Sequence, residues 1–338
     1  MKPLLPLLAL LIWVTGCAHP RTRADFLRLI DHPRVALAPQ AGQIMATNDL
    51  AQIKFSFASD AQDRVPGILF KSPSAQGRRP VVIALHGTGG TKEGMTALCR
   101  RLVERGFIAV AIDARYHGER KSGKGTDAYN EAIVRAWGGS GEHPFFYDTV
   151  WDVTRLVDYL QTRDDIDPAR IGLIGISKGG IETYLAAAAD PRITVAVPCI
   201  GIQSFEWELK HDDWKSRIGT IQRAFDTVTK NAGATHPDPA FVQRFYDRVA
   251  PGIYSEFDGP QMLRLIAPRP LLMINGDTDD HTPLPGVKEC MAVAEKEYAA
   301  KGAEDHFAAI LEPHTGHKVN PDAERAAIDW FVRWLKPW

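Results

Sequence analysis

The sequence predicts an α/β fold: a mostly parallel, doubly wound sheet with helices on both faces and a helical insertion after the sixth strand. Three observations carry this. Short apolar runs without alternation, such as VVIAL at 81–85, suit strands buried on both faces of a parallel sheet. From there to the C-terminus such runs alternate with helical stretches, as successive βα units require. The chain has 338 residues, 45% hydrophobic and 24% charged, enough for one large packed domain and unlike disordered or repeatedly membrane-spanning chains.

In chain order, Lys2 precedes an apolar run at 3–14. That run is shorter than the roughly 20 residues of a spanning helix and fits the apolar region of a secretory signal, about 7–15 residues. Val14-Thr15-Gly16-Cys17 resembles the lipobox of bacterial lipoproteins. The resemblance implies a signal over 1–16, acylation at Cys17, and residence in the bacterial cell envelope or periplasm, with the membrane met only through that anchor. Residues 17–50, rich in Pro, Arg and Ala, read as a tether and N-terminal extension that packs against the domain, with one amphipathic stretch at 24–30; the main domain reads as 51–338. Runs at 53–57 and 65–70, split by DAQD, predict an antiparallel hairpin. Strands follow at 81–85, 107–112, 171–176 and 193–200, with helices at 91–105, 145–162 and 178–189 between them. No strand-like run occurs between 201 and 266, and compact domains rarely carry unstructured loops that long, so this stretch predicts a helical insertion. Strands at 271–274 and 306–311 and helices at 286–301 and 321–335 complete the alternation.

Charge and cysteine content narrow the partners. Forty Lys and Arg against 41 Asp and Glu leave a net charge of −1, which provides no bulk field for nucleic acid or an anionic membrane. The four cysteines, at 17, 99, 199 and 290, are too few for a disulfide scaffold, and no Cys-x-x-Cys pair suggests zinc. GERKSGKG at 118–125 lacks the hydroxyl that a phosphate-binding loop offers to Mg²⁺. His314-x-x-His317 lies on a loop, without the i, i+4 spacing of a helical zinc pair. No metal and no cofactor are expected.

The chemistry concentrates at strand ends. GISKG at 175–179 sits between an apolar run and an alanine-rich helix, the context of a nucleophile elbow: Ser177 on a tight turn with glycines where neighbouring backbone must approach. HGTGG at 86–90 ends an earlier strand. Its turn, most directly the Thr88 amide, and the Lys178 amide at the helix start supply the two donors that a developing alkoxide needs. His86 reads as holding that turn. A nucleophilic serine also needs a base and an orienting carboxylate. NGDTDDHTP at 275–283 offers Asp277, Asp279 and Asp280, and EPHTGH at 312–317 offers His314 and His317.

These motifs, with ARYHGER at 114–120, resemble the α/β-hydrolase superfamily over residues 51–338, and within it the dienelactone hydrolase, prolyl oligopeptidase-like and acetyl xylan esterase-like serine hydrolases. In that family the acid commonly stands in Gly-x-x-Asp with Pro four residues on, matching Gly276, Asp279 and Pro283; the base follows glycine, matching Gly316-His317. The resemblance therefore implies Ser177, His317 and Asp279 as the triad of an α/β-hydrolase fold, and Thr88 and Lys178 as its oxyanion hole. It implies a carboxylic ester as substrate, either a small molecule or an acylated sugar. A prolyl oligopeptidase-like peptidase would need a propeller domain, for which about 50 residues before the first strand leave no room. A catalytically inactive binding protein would not need an intact Ser, Asp and His. Lys178 occupies the place of the arginine beside the serine in the glucuronoyl esterase group, which allows two readings: an ammonium reaching the acyl pocket, or a solvated lysine on the first helical turn. Phe205 and Trp207 lie near the strand end that opens the insertion and are the candidates to line the substrate pocket.

Overall fold

The computed structural model describes residues 19–47 and 49–337; Cys17 and the apolar leader fall outside the described residues. One nine-stranded sheet is built from β1 (Gln40–Ala46), β2 (Ala51–Ala58), β3 (Arg64–Lys71), β4 (Arg79–Leu85), β5 (Ile108–Ile112), β6 (Ile166–Ile176), β7 (Ile193–Cys199), β8 (Leu271–Gly276) and β9 (Phe307–Glu312). Its order is β1-β2-β3-β5-β4-β6-β7-β8-β9. The first three strands run antiparallel, as does the β3–β5 pairing, and β5 through β9 are parallel. From β4 the chain moves one way to β5 and then crosses to β6 on the other side. A ligand crevice forms at such a switch point, outside the carboxyl ends of the strands. Leu85, the last residue of β4, is the register partner of Gly175, one residue before the end of β6, so HGTGG and Ser177 emerge side by side.

Helices cover both faces. On one, α2 (Thr96–Glu104) and α12 (Pro321–Leu335) bury Leu98, Leu102, Ile328 and Phe331. On the other lie α1 (His19–Ile30), α3 (Asp127–Trp137), α4 (Tyr147–Gln161), α5 (Lys178–Ala189) and α11 (Leu284–Ala300). The contact of α5 with the sheet is close because the sequence removes side chains there. A Cβ on Gly180 would stand 2.5 Å from the Cys199 carbonyl.

Residues 201–266 form a helical unit, as predicted: α6 (Phe205–Lys210), α7 (Lys215–Ile218), α8 (Gln222–Asn231), α9 (Pro239–Val249) and α10 (Gly259–Leu263). It follows the seventh strand, not the sixth, because β1 lies inside the stretch read as a tether. Every residue of β1 is exposed and its ladder with β2 slips between Ala41 and Ile44, so no burial pattern marks it in the sequence. Helix α1 is likewise part of the domain. Phe26 is fully buried, its ring edge-on to Tyr147 at 5.1 Å, and Arg23 donates to the carbonyls of Ala188 and Leu265. The domain boundary at 51 is therefore corrected: the extension supplies a helix and an edge strand. Helix α3 also escaped the sequence reading, because glycine-rich stretches flank it on both sides.

Candidate active site

Ser177 joins β6 to α5 with φ 58° and ψ −117°, a conformation in which a side chain costs about 1–3 kcal/mol. The surroundings fix it there. Its amide donates to the Cys199 carbonyl at 2.9 Å, and its own carbonyl accepts from Gly180 and Ile181. The flanking glycines are required: a Cβ on Gly175 would fall 2.0 Å from the Gly179 carbonyl, and one on Gly179 would fall 2.5 Å from that of Leu85.

The structure brings Ser177, His317 and Asp279 into one hydrogen-bonded line. His317 Nε2 lies 2.7 Å from Ser177 Oγ, and His317 Nδ1 lies 2.8 Å from Asp279 Oδ2. Because a carboxylate accepts at Nδ1, that nitrogen carries the proton and Nε2 faces the hydroxyl as a base. The Asp279 side chain is fully buried. Burial alone would raise its carboxyl, but donation from His317 and from the His281 amide outweighs this and keeps it below the usual carboxylate value. Asp277 does other work: its Oδ1 accepts the Thr315 amide at 3.3 Å, tying the acid loop to the base loop. Where these loops cross, a Cβ on Gly276 would stand 2.0 Å from the Thr315 carbonyl. His314 is exposed at a left-handed turn position with φ 51°.

The turn at 87–90 closes with the Gly90 amide donating to the Gly87 carbonyl at 3.0 Å. It abuts the serine: a Cβ on Gly87 would lie 3.3 Å from that of Ser177. The Thr88 amide belongs to this turn, and the Lys178 amide is the first of the unpaired donors at the start of α5. His86 braces the turn. Its Nδ1 donates to the Gly87 carbonyl and its Nε2 accepts the Ala114 amide; burial lowers its pKa to about 4, so the ring stays neutral. The ring of His117, from ARYHGER, packs against it at a tilt, with centroids 5.2 Å apart and planes at 50°. The arginines of that segment bind carboxylates: Arg115 pairs with Asp60 and Asp152, and Arg120 with Asp63 and Asp152.

Three readings need correction. The Lys178 side chain neither reaches an acyl pocket nor meets solvent. It is 1% exposed, paired with Glu182 one turn along, and lies over the Tyr129 ring. Phe205 is fully buried, edge-on to Tyr246 at 5.7 Å, and belongs to the core of the insertion. Trp207 is half-buried and stacks at 4.2 Å on His211, the residue that caps the end of α6. Insertion residues do meet the acid loop: Asp213, Lys215, Ser216 and Gly219 line a cavity of about 640 Å³ with Asp277–His281, and Arg217 donates to the His281 carbonyl. They are separated by some sixty positions from their partners, and nothing in the local sequence pairs them. Among the described residues, no group of three or more His, Cys, Asp or Glu stands close enough to hold a metal ion.

The family model described as "Glucuronyl esterase, fungi" matches residues 66–302, which include the HGTGG turn, Ser177 and Asp279. The chain belongs to the glucuronyl esterase family. Family and fold together make it a carboxylic ester hydrolase. Among curated proteins it is 25% identical over 292 residues to YtaP of Bacillus subtilis (strain 168), covering 82% of this chain and 85% of that protein. It is 29% identical over 190 residues to the 4-O-methyl-glucuronoyl methylesterase of Neurospora crassa, covering 55% of this chain and 46% of that protein. Acetyl xylan esterase 1 from Thermoanaerobacterium sp. JW/SL YS485 shares the fold, with a TM-score of 0.69 at 16% identity over 93% of both chains.

Proposed function

We propose that this member of the glucuronyl esterase family hydrolyses carboxylic esters of sugar acids, glucuronoyl esters above all, through an acyl-enzyme on Ser177. The observation that carries the mechanism is the unbroken Ser177–His317–Asp279 line, with contacts of 2.7 and 2.8 Å, at the switch point of the sheet. Ser177 Oγ attacks the ester carbonyl carbon while His317 Nε2 takes its proton, and Asp279 stabilises the imidazolium. The carbonyl oxygen becomes an alkoxide held by the Thr88 and Lys178 amides. Collapse expels the alcohol, which takes the proton from His317. A water, deprotonated in turn by His317, then cleaves the acyl-enzyme and releases the acid and free Ser177.

Family membership supports the glucuronoyl assignment, and the buried Lys178–Glu182 pair agrees with it. The carboxyl of a glucuronoyl ester is uncharged until cleaved, so its recognition needs no free cation in the acyl site. Purified protein is expected to release alcohol from benzyl or methyl glucuronate faster than acetate from acetylated xylo-oligosaccharides, and Ser177→Ala to release neither. Preference for the acetylated sugars would move the substrate class; turnover by the variant would remove the mechanism.

We further propose that Cys17 is acylated and anchors the enzyme in the bacterial envelope. The support is the run Val14-Thr15-Gly16-Cys17 behind an apolar stretch in the sequence. Intact-mass measurement of membrane-extracted protein should show a diacylglycerol-modified Cys17; an unmodified N-terminus at or beyond Cys17 would contradict it.

A further inference from the structure

We propose that His281 is a positioning residue for the catalytic line, clamped by the insertion; this rests on the assignment of Ser177, His317 and Asp279 above. Both His317 and Asp279 sit on loops beyond β8 and β9, and their mutual hydrogen bonds alone leave the exposed His317 ring open to tilting. His281 touches both partners. Its amide donates to Asp279 Oδ1 at 2.8 Å, and its ring meets His317 in a T-shaped contact, centroids 4.7 Å apart and planes at 84°. Such edge-to-face contacts have a preferred geometry, so the His281 ring acts as a stop against one side of the base.

The insertion holds that stop in place. His281 Nδ1 lies 3.1 Å from the Ser216 carbonyl, which can only accept; Nδ1 therefore carries the proton and the ring has one tautomer and one orientation. The His281 carbonyl accepts from Arg217 Nη2 at 2.9 Å, and Arg217 Nε donates to Gln203 Oε1 at 2.7 Å. Arg217 and Gln203 are both buried, and Gln203 follows the end of β7 closely. A continuous line of contacts thus runs from the sheet through Gln203, Arg217 and His281 to His317. The insertion serves the chemistry as a brace for the base, through Ser216 and Arg217, which lie 65 and 64 positions from His281 in the chain.

The test uses the full chain, with p-nitrophenyl acetate for turnover, a fluorophosphonate probe for Ser177 reactivity, and the imino-proton NMR signal of the His317–Asp279 hydrogen bond. His281→Ala should lower kcat and the labelling rate about tenfold or more, since small misplacements of catalytic groups can cost about 10²-fold. KM should stay within about twofold, and the imino signal should broaden or shift. His281→Phe, which keeps a ring edge against His317, should recover most of the loss; His281→Asn, which keeps a donor toward Ser216 and no ring, should not. The comparison of Phe with Asn stands even if the alanine variant folds poorly. Wild-type labelling by His281→Ala, an unmoved imino signal, or equal recovery by Asn and Phe would overturn the proposal. Labelling that survives Ser177→Ala would instead remove the catalytic assignment beneath it.

Discussion

At the residue scale, the geometry separates the three carboxylates that the sequence leaves as candidates for the acid. Asp279 alone meets the His317 ring, Asp277 caps the Thr315 amide, and Asp280 forms no hydrogen bond to the base. Asp279→Asn should therefore lower kcat by about 10⁴, the cost of losing an orienting carboxylate in another serine hydrolase. Asp280→Asn should cost less than about tenfold. Steady-state rates on p-nitrophenyl acetate decide this, and a severe loss in the Asp280 variant would reassign the acid. The elbow is legible in the sequence because its chemistry is local, with glycines where a Cβ would strike backbone and a serine between them, whereas Asp279 and His317 are singled out among their neighbours only by resemblance to a family pattern. Lys178 is not legible in the same way. Its side chain pairs with Glu182 on the same helix, yet only the depth of α5 against the sheet decides whether an i, i+4 pair lies in water or in the core.

At the scale of elements, two polar clusters fasten the site to the scaffold. Asp258 latches the insertion: its carboxylate accepts from the Phe205, Glu206 and Gly259 amides and from Ser204 Oγ, capping α6 across more than fifty residues of chain. Asp258→Ala should destabilise the protein by about 2–4 kcal/mol, combining a lost cap with buried amides left unpaired. Urea unfolding would measure it, and a change below 0.5 kcal/mol, the scale of ordinary surface substitutions, would contradict the role. Behind the oxyanion turn, the fully buried Asp152 side chain bridges Arg115 and Arg120, joining α4 to the β2–β3 hairpin and the loop after β5. Burial alone would raise its carboxyl, but the two guanidiniums outweigh burial and hold it below its ordinary value of 3.8. A depressed carboxyl stabilises the fold above its unfolded pKa and loses that contribution as pH falls through the folded value. Asp152→Asn should thus be less stable than wild type by about 3 kcal/mol or more near pH 7, with the gap narrowing below about pH 4. A gap independent of pH would show that the charge is not the cause.

At the scale of the whole molecule, the parallel strands are readable because each is apolar on both faces, whereas the antiparallel edge is not. QAGQIMA of β1 is exposed throughout and pairs on one side only, so periodicity gives it no signal, and the boundary drawn at 51 excluded it. The N-terminal segment is nonetheless held by burial. Phe26→Ala should cost about 3–5 kcal/mol, the usual penalty for removing a buried phenylalanine. Deleting 19–50 should lower the thermal midpoint further by uncovering Tyr147 and the edge of β2; a truncated protein as stable as wild type would restore the tether reading. The insertion was legible as helical but not in its contacts, since its aromatic side chains fill its own core while polar residues at 213–219 reach the acid loop. All these levels converge on the reactivity of one serine. Treating the full chain with a fluorophosphonate and mapping the adduct by peptide mass spectrometry tests it most directly. A single phosphonylated peptide containing Ser177 is expected, lost in Ser177→Ala and slowed in Asp279→Asn; an adduct at another residue, or none in protein that still hydrolyses esters, would contradict the assignment of Ser177 as the nucleophile.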